Sequence, residues 1–180
     1  MTQEEGIGMT QSKGEIRIYV ACLAAYNNGI LHGAWIDATQ GEEAIRDEIA
    51  AMLKASPVSG AEEYAIHDYE GFEGVPVAEY EGIESVCEIA GFLTEHGELG
   101  GRLVAELGDL EEARRALEEN YAGEYRSLAD FAQELTEQSI EIPESLQFYI
   151  DYERMARDLE VNDVMTVETG FEQVHVFWSR

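Results

Sequence analysis

Positive charge is scarce in this sequence. Lysine occurs only at Lys13 and Lys54, and Lys and Arg together number 11 against 38 Asp and Glu, leaving a formal net charge of −27 over 180 residues. Direct binding to nucleic acid or to an anionic membrane needs cations, and the only close basic pairs are Arg114-Arg115 and Arg154/Arg157. Neither ligand is expected, and a partner should itself be basic. Cysteine is equally thin. Cys22 and Cys87 lack a C-x-x-C or second ligand pair, which points to small buried hydrophobes rather than zinc or a disulfide framework. No apolar run approaches the roughly 20 residues that span a bilayer. The opening MTQEEGIGMTQSKGE is acidic where a signal peptide is basic then apolar. A cytoplasmic location is the expectation.

Catalytic signatures are missing as well. No G-x-S-x-G, P-loop or G-x-G-x-x-G occurs, and DLEVND at Asp158 to Asp163 lacks the central glycine and closing glutamate of a calcium loop. His32, His96 and His175 have no ligand-spaced neighbours, and His67-Asp68 reads as a structural or surface histidine at a strand end. With 38 carboxylates some pair falls at glycosidase spacing by chance. No enzyme activity, metal or cofactor is expected.

What is present is a foldable and very acidic chain. At 45% hydrophobic and 9% aromatic residues it escapes disorder, which requires low hydrophobicity together with high charge. The charge is concentrated: residues 60–120 hold 17 acids and 3 bases, residues 154–180 only 5 and 3. Residues 1–14 lack periodicity and read as a loose tail. Ile16, Ile18, Val20 and Cys22 alternate as a half-buried strand, Asn27-Asn28-Gly29 is a turn, and Ile30 to Asp37 reads as the returning strand. Thr39 and Glu42 have capping-box spacing for a helix that buries Ile45, Ile49, Met52 and Leu53 and ends near Ser56-Pro57. Glu63 to Tyr69 supplies a third strand.

Beyond Gly71 the pattern changes to short helices separated by glycine. Ile83, Val86, Ala90 and Leu93 form one apolar face, a second helix covers about Leu99 to Leu107, and a third starts at Asp109 with Leu110, Ala113, Leu117 and Tyr121 buried. Gly123 to Arg126 reads as a strand, Ser127 with Asp130 opens a helix carrying Leu128, Phe131, Ala132 and Leu135, and Pro143 starts another. Asp163 to Thr169 and Glu172 to Trp178 close as a hairpin about Gly170. The fold class is α+β: a tail (1–14), a β-β-α-β domain (15–72), a short-helix domain (73–120) and a C-terminal α+β domain (121–180).

The informative feature lies opposite the apolar faces. Glu81, Glu84, Glu88 and Glu95 follow helical spacing, as do Asp130, Glu134, Glu137 and Glu141, while Glu111/Glu118 and Glu112/Glu119 are seven-residue pairs. Glu62, Glu63, Asp68, Glu70, Glu73, Glu79, Glu98, Glu106, Asp109 and Glu124 complete the candidate surface. An ordinary solvated helix alternates Glu with Lys four residues on, gaining about 0.2 to 0.5 kcal/mol per pair, whereas like charges lose as much. Glu111 with Arg115 is the exception. Duplex DNA carries about one charge per 1.7 Å of axis, so −27 equals roughly 46 Å of duplex. Several acidic helices side by side could imitate a phosphate backbone. Two other readings fit the charge: a salt-adapted enzyme, and an acidic chaperone or regulator of some basic protein.

The stretches YVACLAAYNNGILHGAWID, EYAIHDYEG, YAGEYRSLADFAQEL and IPESLQFYIDYERMARDLE, with the terminal VHVFW, resemble the ArdA-type antirestriction proteins, in order from about Ile16 to Trp178. The N-terminal tail and a longer loop near Ala55 to Ala61 depart from that pattern. The resemblance implies three small domains in an elongated, curved chain that dimerises through the last. It also implies a mimic of bent B-form DNA that occupies the DNA groove of type I restriction-modification enzymes, on their methyltransferase core, and protects incoming mobile DNA.

The family's antirestriction motif aligns with Ser139 to Asp151. Leu146, Tyr149 and Ile150 make one apolar stripe, and Phe148, Tyr152, Met155 and Leu159 a second. Two stripes suit either a fully buried central helix or a helix that packs on another chain. The resemblance favours the latter, with Ile142, Pro143, Leu146, Phe148, Tyr149, Tyr152 and Met155 at a homodimer interface.

Overall fold

The computed structural model describes residues 15–179. The fold is α+β, with two small antiparallel sheets and helices packed on them. The expected loose tail, residues 1–14, lies outside the described residues.

By their contacts the described residues divide into two compact units, residues 15–72 with 76–91 and residues 73–75 with 92–179. In the first, strands β1 (Arg17–Cys22), β2 (Gly33–Asp37) and β3 (Tyr64–Glu70) form a sheet in the order β2-β1-β3. The period-two pattern holds, since Ile18, Val20 and Cys22 are fully buried. A short helix, α1 (Leu23–Asn27), follows β1 directly, so the returning strand starts at Gly33 rather than Ile30. Helix α2 (Glu42–Lys54) buries Ile45, Ile49 and Met52, as the spacing requires.

The expected Thr39 cap of α2 is absent. The carboxylate of Asp37 accepts hydrogen bonds from the Thr39 amide at 2.8 Å and the Thr39 hydroxyl at 2.6 Å, which turns Thr39 away from the helix. Gly41, at φ 97°, is the N-cap instead.

Helix α3 (Ile83–Leu107) is interrupted at Gly97, which takes φ 56° and ψ −138°. The break makes two helices, as the glycine spacing implied. Ile83, Val86, Ala90 and Leu93 are all buried. Asp109 caps α4 (Leu110–Arg115) by accepting the Glu112 amide at 2.9 Å, and a π-helical turn follows over Ala116–Asn120. Tyr121 is not part of the buried stripe; it opens strand β4 (Tyr121–Tyr125) and is exposed.

The rest of the second unit is a sheet in the order β4-β6-β5, from β4, β5 (Val164–Gly170) and β6 (Gln173–Trp178), with α5 (Leu128–Ser139) and α6 (Tyr152–Asn162) packed on each other. Ser127 caps α5 through the Asp130 amide, as its spacing predicts. Phe131, Val164, Val174 and Val176 form the core, flanked by Leu128, Leu135 and Leu159.

Between α5 and α6 the expected single helix from Pro143 does not form. Glu144–Tyr149 is a 3-10 segment, Ile150 is extended, and α6 begins anew with Asp151 as cap, accepting the Arg154 amide at 3.0 Å. The two apolar stripes therefore do not share one helix.

Candidate acidic interface

Carboxylates reach solvent here because the apolar residues between them are held inward by the two cores. Of the 22 acids of the candidate surface, 20 are exposed. The exceptions have local roles. Glu81 precedes α3 and accepts from the Ser85 hydroxyl at 2.6 Å and the Ala78 amide at 3.3 Å. Asp130 is held by Arg126 at 2.9 Å.

In the first unit, Glu62 and Glu63 lead into β3, and Asp68 and Glu70 stand on it. A bulge opposite Tyr19/Val20 leaves His67 without a strand partner and turns it out, edge-on to Tyr26 and 3.7 Å from Glu79. Glu84 and Glu88 are one turn apart on the exposed face of α3, with no ion pair among the described residues. Glu43 and Asp47, exposed on α2, extend the acidic surface beyond the set picked out from sequence. Their four-residue spacing was a usable signal.

In the second unit, Glu95, Glu98 and Glu106 are exposed on the later part of α3, Asp109, Glu111, Glu112, Glu118 and Glu119 around α4, and Glu73 and Glu124 outside helices. Arg114 and Arg115 pair three residues back, with Glu111 at 3.4 Å and Glu112 at 3.6 Å, rather than Arg115 with Glu111. Glu134 and Glu137 on α5 accept from Gln138 and Gln133, each at 2.9 Å. These partners sit at the four-residue spacing of a salt bridge but are neutral amides, so both charges stay uncompensated. Glu141 lies just beyond the helix, exposed.

The segment aligned with dimerisation is solvent-facing in the single chain. Phe148 is 93% exposed, Tyr149 85% and Leu146 53%, which removes the fully buried central helix. Pro143 is exposed and Ile142 half-buried, while Tyr152 and Met155 are half-buried on α6, where the Met155 sulfur is 3.9 Å from the Thr136 hydroxyl.

No group of three or more His, Cys, Asp or Glu among the described residues is placed to hold a metal ion. Cys22 is buried, and Cys87 is half-buried with its thiol pushed up by burial, the opposite of a reactive thiolate. No described helix is long and apolar enough to cross a membrane.

Against known proteins, the family model described as antirestriction protein (ArdA) matches residues 18–173. No curated protein sequence matches.

Proposed function

The chain belongs to the ArdA antirestriction family, matched over most of its length, and we propose that it acts as a DNA mimic that fills the DNA groove of a type I restriction-modification enzyme. The observation that carries this reading is the exposed, largely uncompensated carboxylate surface, 20 of the 22 acids chosen from the sequence. Like charges held a turn apart cost stability in an isolated protein. The cost is recovered when a basic cleft replaces solvent around them. Long-range attraction steers the acidic surface to the cleft, and many small contacts hold it there.

The inhibitor works stoichiometrically and without catalysis. It acts as a homodimer joined through Ile142, Pro143, Leu146, Phe148, Tyr149, Tyr152 and Met155, so that the paired chains carry −54, matching roughly 92 Å of duplex. Three small modules along each chain distribute that charge, and the cytoplasm is where such an enzyme meets incoming DNA. The test is titration of purified protein into a type I cleavage reaction. Cleavage should stop near one dimer per enzyme, with no turnover; inhibition only at large excess, or continued by catalytic amounts, would overturn it.

A further inference from the structure

The arginines of α6 differ from the other described arginines in their partners. Arg154, Arg157 and Val161 fall at i, i+3 and i+7, with the exposed acids Glu153, Asp158 and Glu160 on the same helix, and Val161 is 81% exposed. Every other described arginine has a carboxylate within 4.0 Å: Arg17, Arg46, Arg102, Arg114, Arg115 and Arg126. Arg154 and Arg157 have no ion pair among the described residues. Arg157 lines a shallow groove of about 300 Å³ with Glu153, Glu160 and Glu168, yet none of these carboxylates closes on it. In a chain of net charge −27, two arginines left without a carboxylate partner, a few residues after the exposed Leu146, Phe148 and Tyr149 in sequence, call for an explanation.

A basic cleft would repel the two arginines themselves, whatever it does with the acids around them. The two arginines fit an acidic occupant, and the acidic protein that is always present is a second copy of the chain. A two-fold interface must be self-complementary, with both signs of charge on one patch. That condition is met, because α5 packs on α6 and carries the exposed Glu134 and Glu137, which have no cationic partner among the described residues.

We propose that Arg154 and Arg157 are the counter-charges of the dimer, reaching the α5 carboxylates Glu134 and Glu137 of a second copy. This rests on the dimer of the preceding section and adds what offsets the repulsion of two −27 chains and fixes their register.

The test is a charge swap on the full chain, read by sedimentation. Arg154→Glu/Arg157→Glu should be monomeric, and so should Glu134→Arg/Glu137→Arg. Mixed, the two should form a heterodimer, because both contacts of the two-fold then join opposite charges. Circular dichroism checks folding, and Arg154→Gln/Arg157→Gln, with dimerisation about tenfold weaker, serves where a reversal does not fold. A monomeric wild-type protein would remove the dimer itself. A wild-type dimer that neither reversal disturbs, or monomers that mixing does not join, would remove the arginine pairing and leave the dimer.

Discussion

The hydroxyl of Tyr121 lies 2.8 Å from Nδ1 of His175, and on the other side of the ring the Thr169 hydroxyl lies 3.1 Å from Nε2. A neutral imidazole donates from one nitrogen and accepts at the other, and hydroxyls serve either role, so the two contacts are compatible with the uncharged ring. Burial holds His175 below its ordinary value, with the nearby Glu124 acting in the opposite direction.

That shift sets a pH dependence. As pH falls through about 6.5 the unfolded chain takes up the proton before the folded one does, so the second unit loses stability down to the lowered folded value and gains it back as pH rises. Protonation of carboxylates relieves repulsion over the lower part of the same range, so the comparison is with His175→Gln. The stability difference between wild type and variant should shrink below about pH 6.5; a difference constant from pH 7.5 to pH 5 would show that His175 does not titrate this way.

Acid removal should move stability and inhibition in opposite directions. Glu88→Gln alone should leave inhibition nearly unchanged and stabilise by about 0.2 to 0.5 kcal/mol through relief of Glu84. Neutralising Glu84, Glu88, Glu106 and Glu118 together should weaken inhibition at least tenfold without lowering the melting temperature. Loss of inhibition from Glu88→Gln alone would contradict a distributed charge surface.

Phe148→Asp places a charge in the exposed 3-10 segment without touching either core. It should yield a folded monomer with reduced inhibition, seen by sedimentation and cleavage assay. An unchanged dimer would take Phe148 out of the interface.

Gly71 and Gly60 share the left-handed backbone, at φ 78° and φ 73°. A Cβ at Gly60 meets nothing within 4 Å, whereas at Gly71 it would overlap the Glu15 carbonyl. Gly60→Ala should cost about 1 kcal/mol and Gly71→Ala about 3 kcal/mol or more, by denaturant unfolding read on Trp35. Equal costs would mean the Glu15 segment yields freely.

Elements whose two faces differ were readable from the sequence. Ile18, Val20 and Cys22 alternate because one side of β1 is buried, and Ile83, Val86, Ala90 and Leu93 repeat because one face of α3 is. What escaped was decided by competition between local partners. Thr39 had the spacing of a cap, but Asp37 two residues back captured it. The apolar spacing after Pro143 suits a 3-10 turn as well as an α-helix, and the Asp151 cap settled where α6 starts. His175 carried no motif, since its partners lie 54 residues before it and six residues before it, joined only by the sheet. The acids of the candidate surface were readable because exposure was the only thing asked of them; which arginine each would meet was not, as Glu111 and Glu112 show.

The most direct measurement is displacement of labelled DNA from a type I methyltransferase core at two salt concentrations. A mimic at the DNA site should release the DNA at near-stoichiometric amounts, and less effectively as salt rises, because exposed charges are screened. DNA left bound at both salts, under added protein shown to be folded and dimeric, would contradict DNA mimicry.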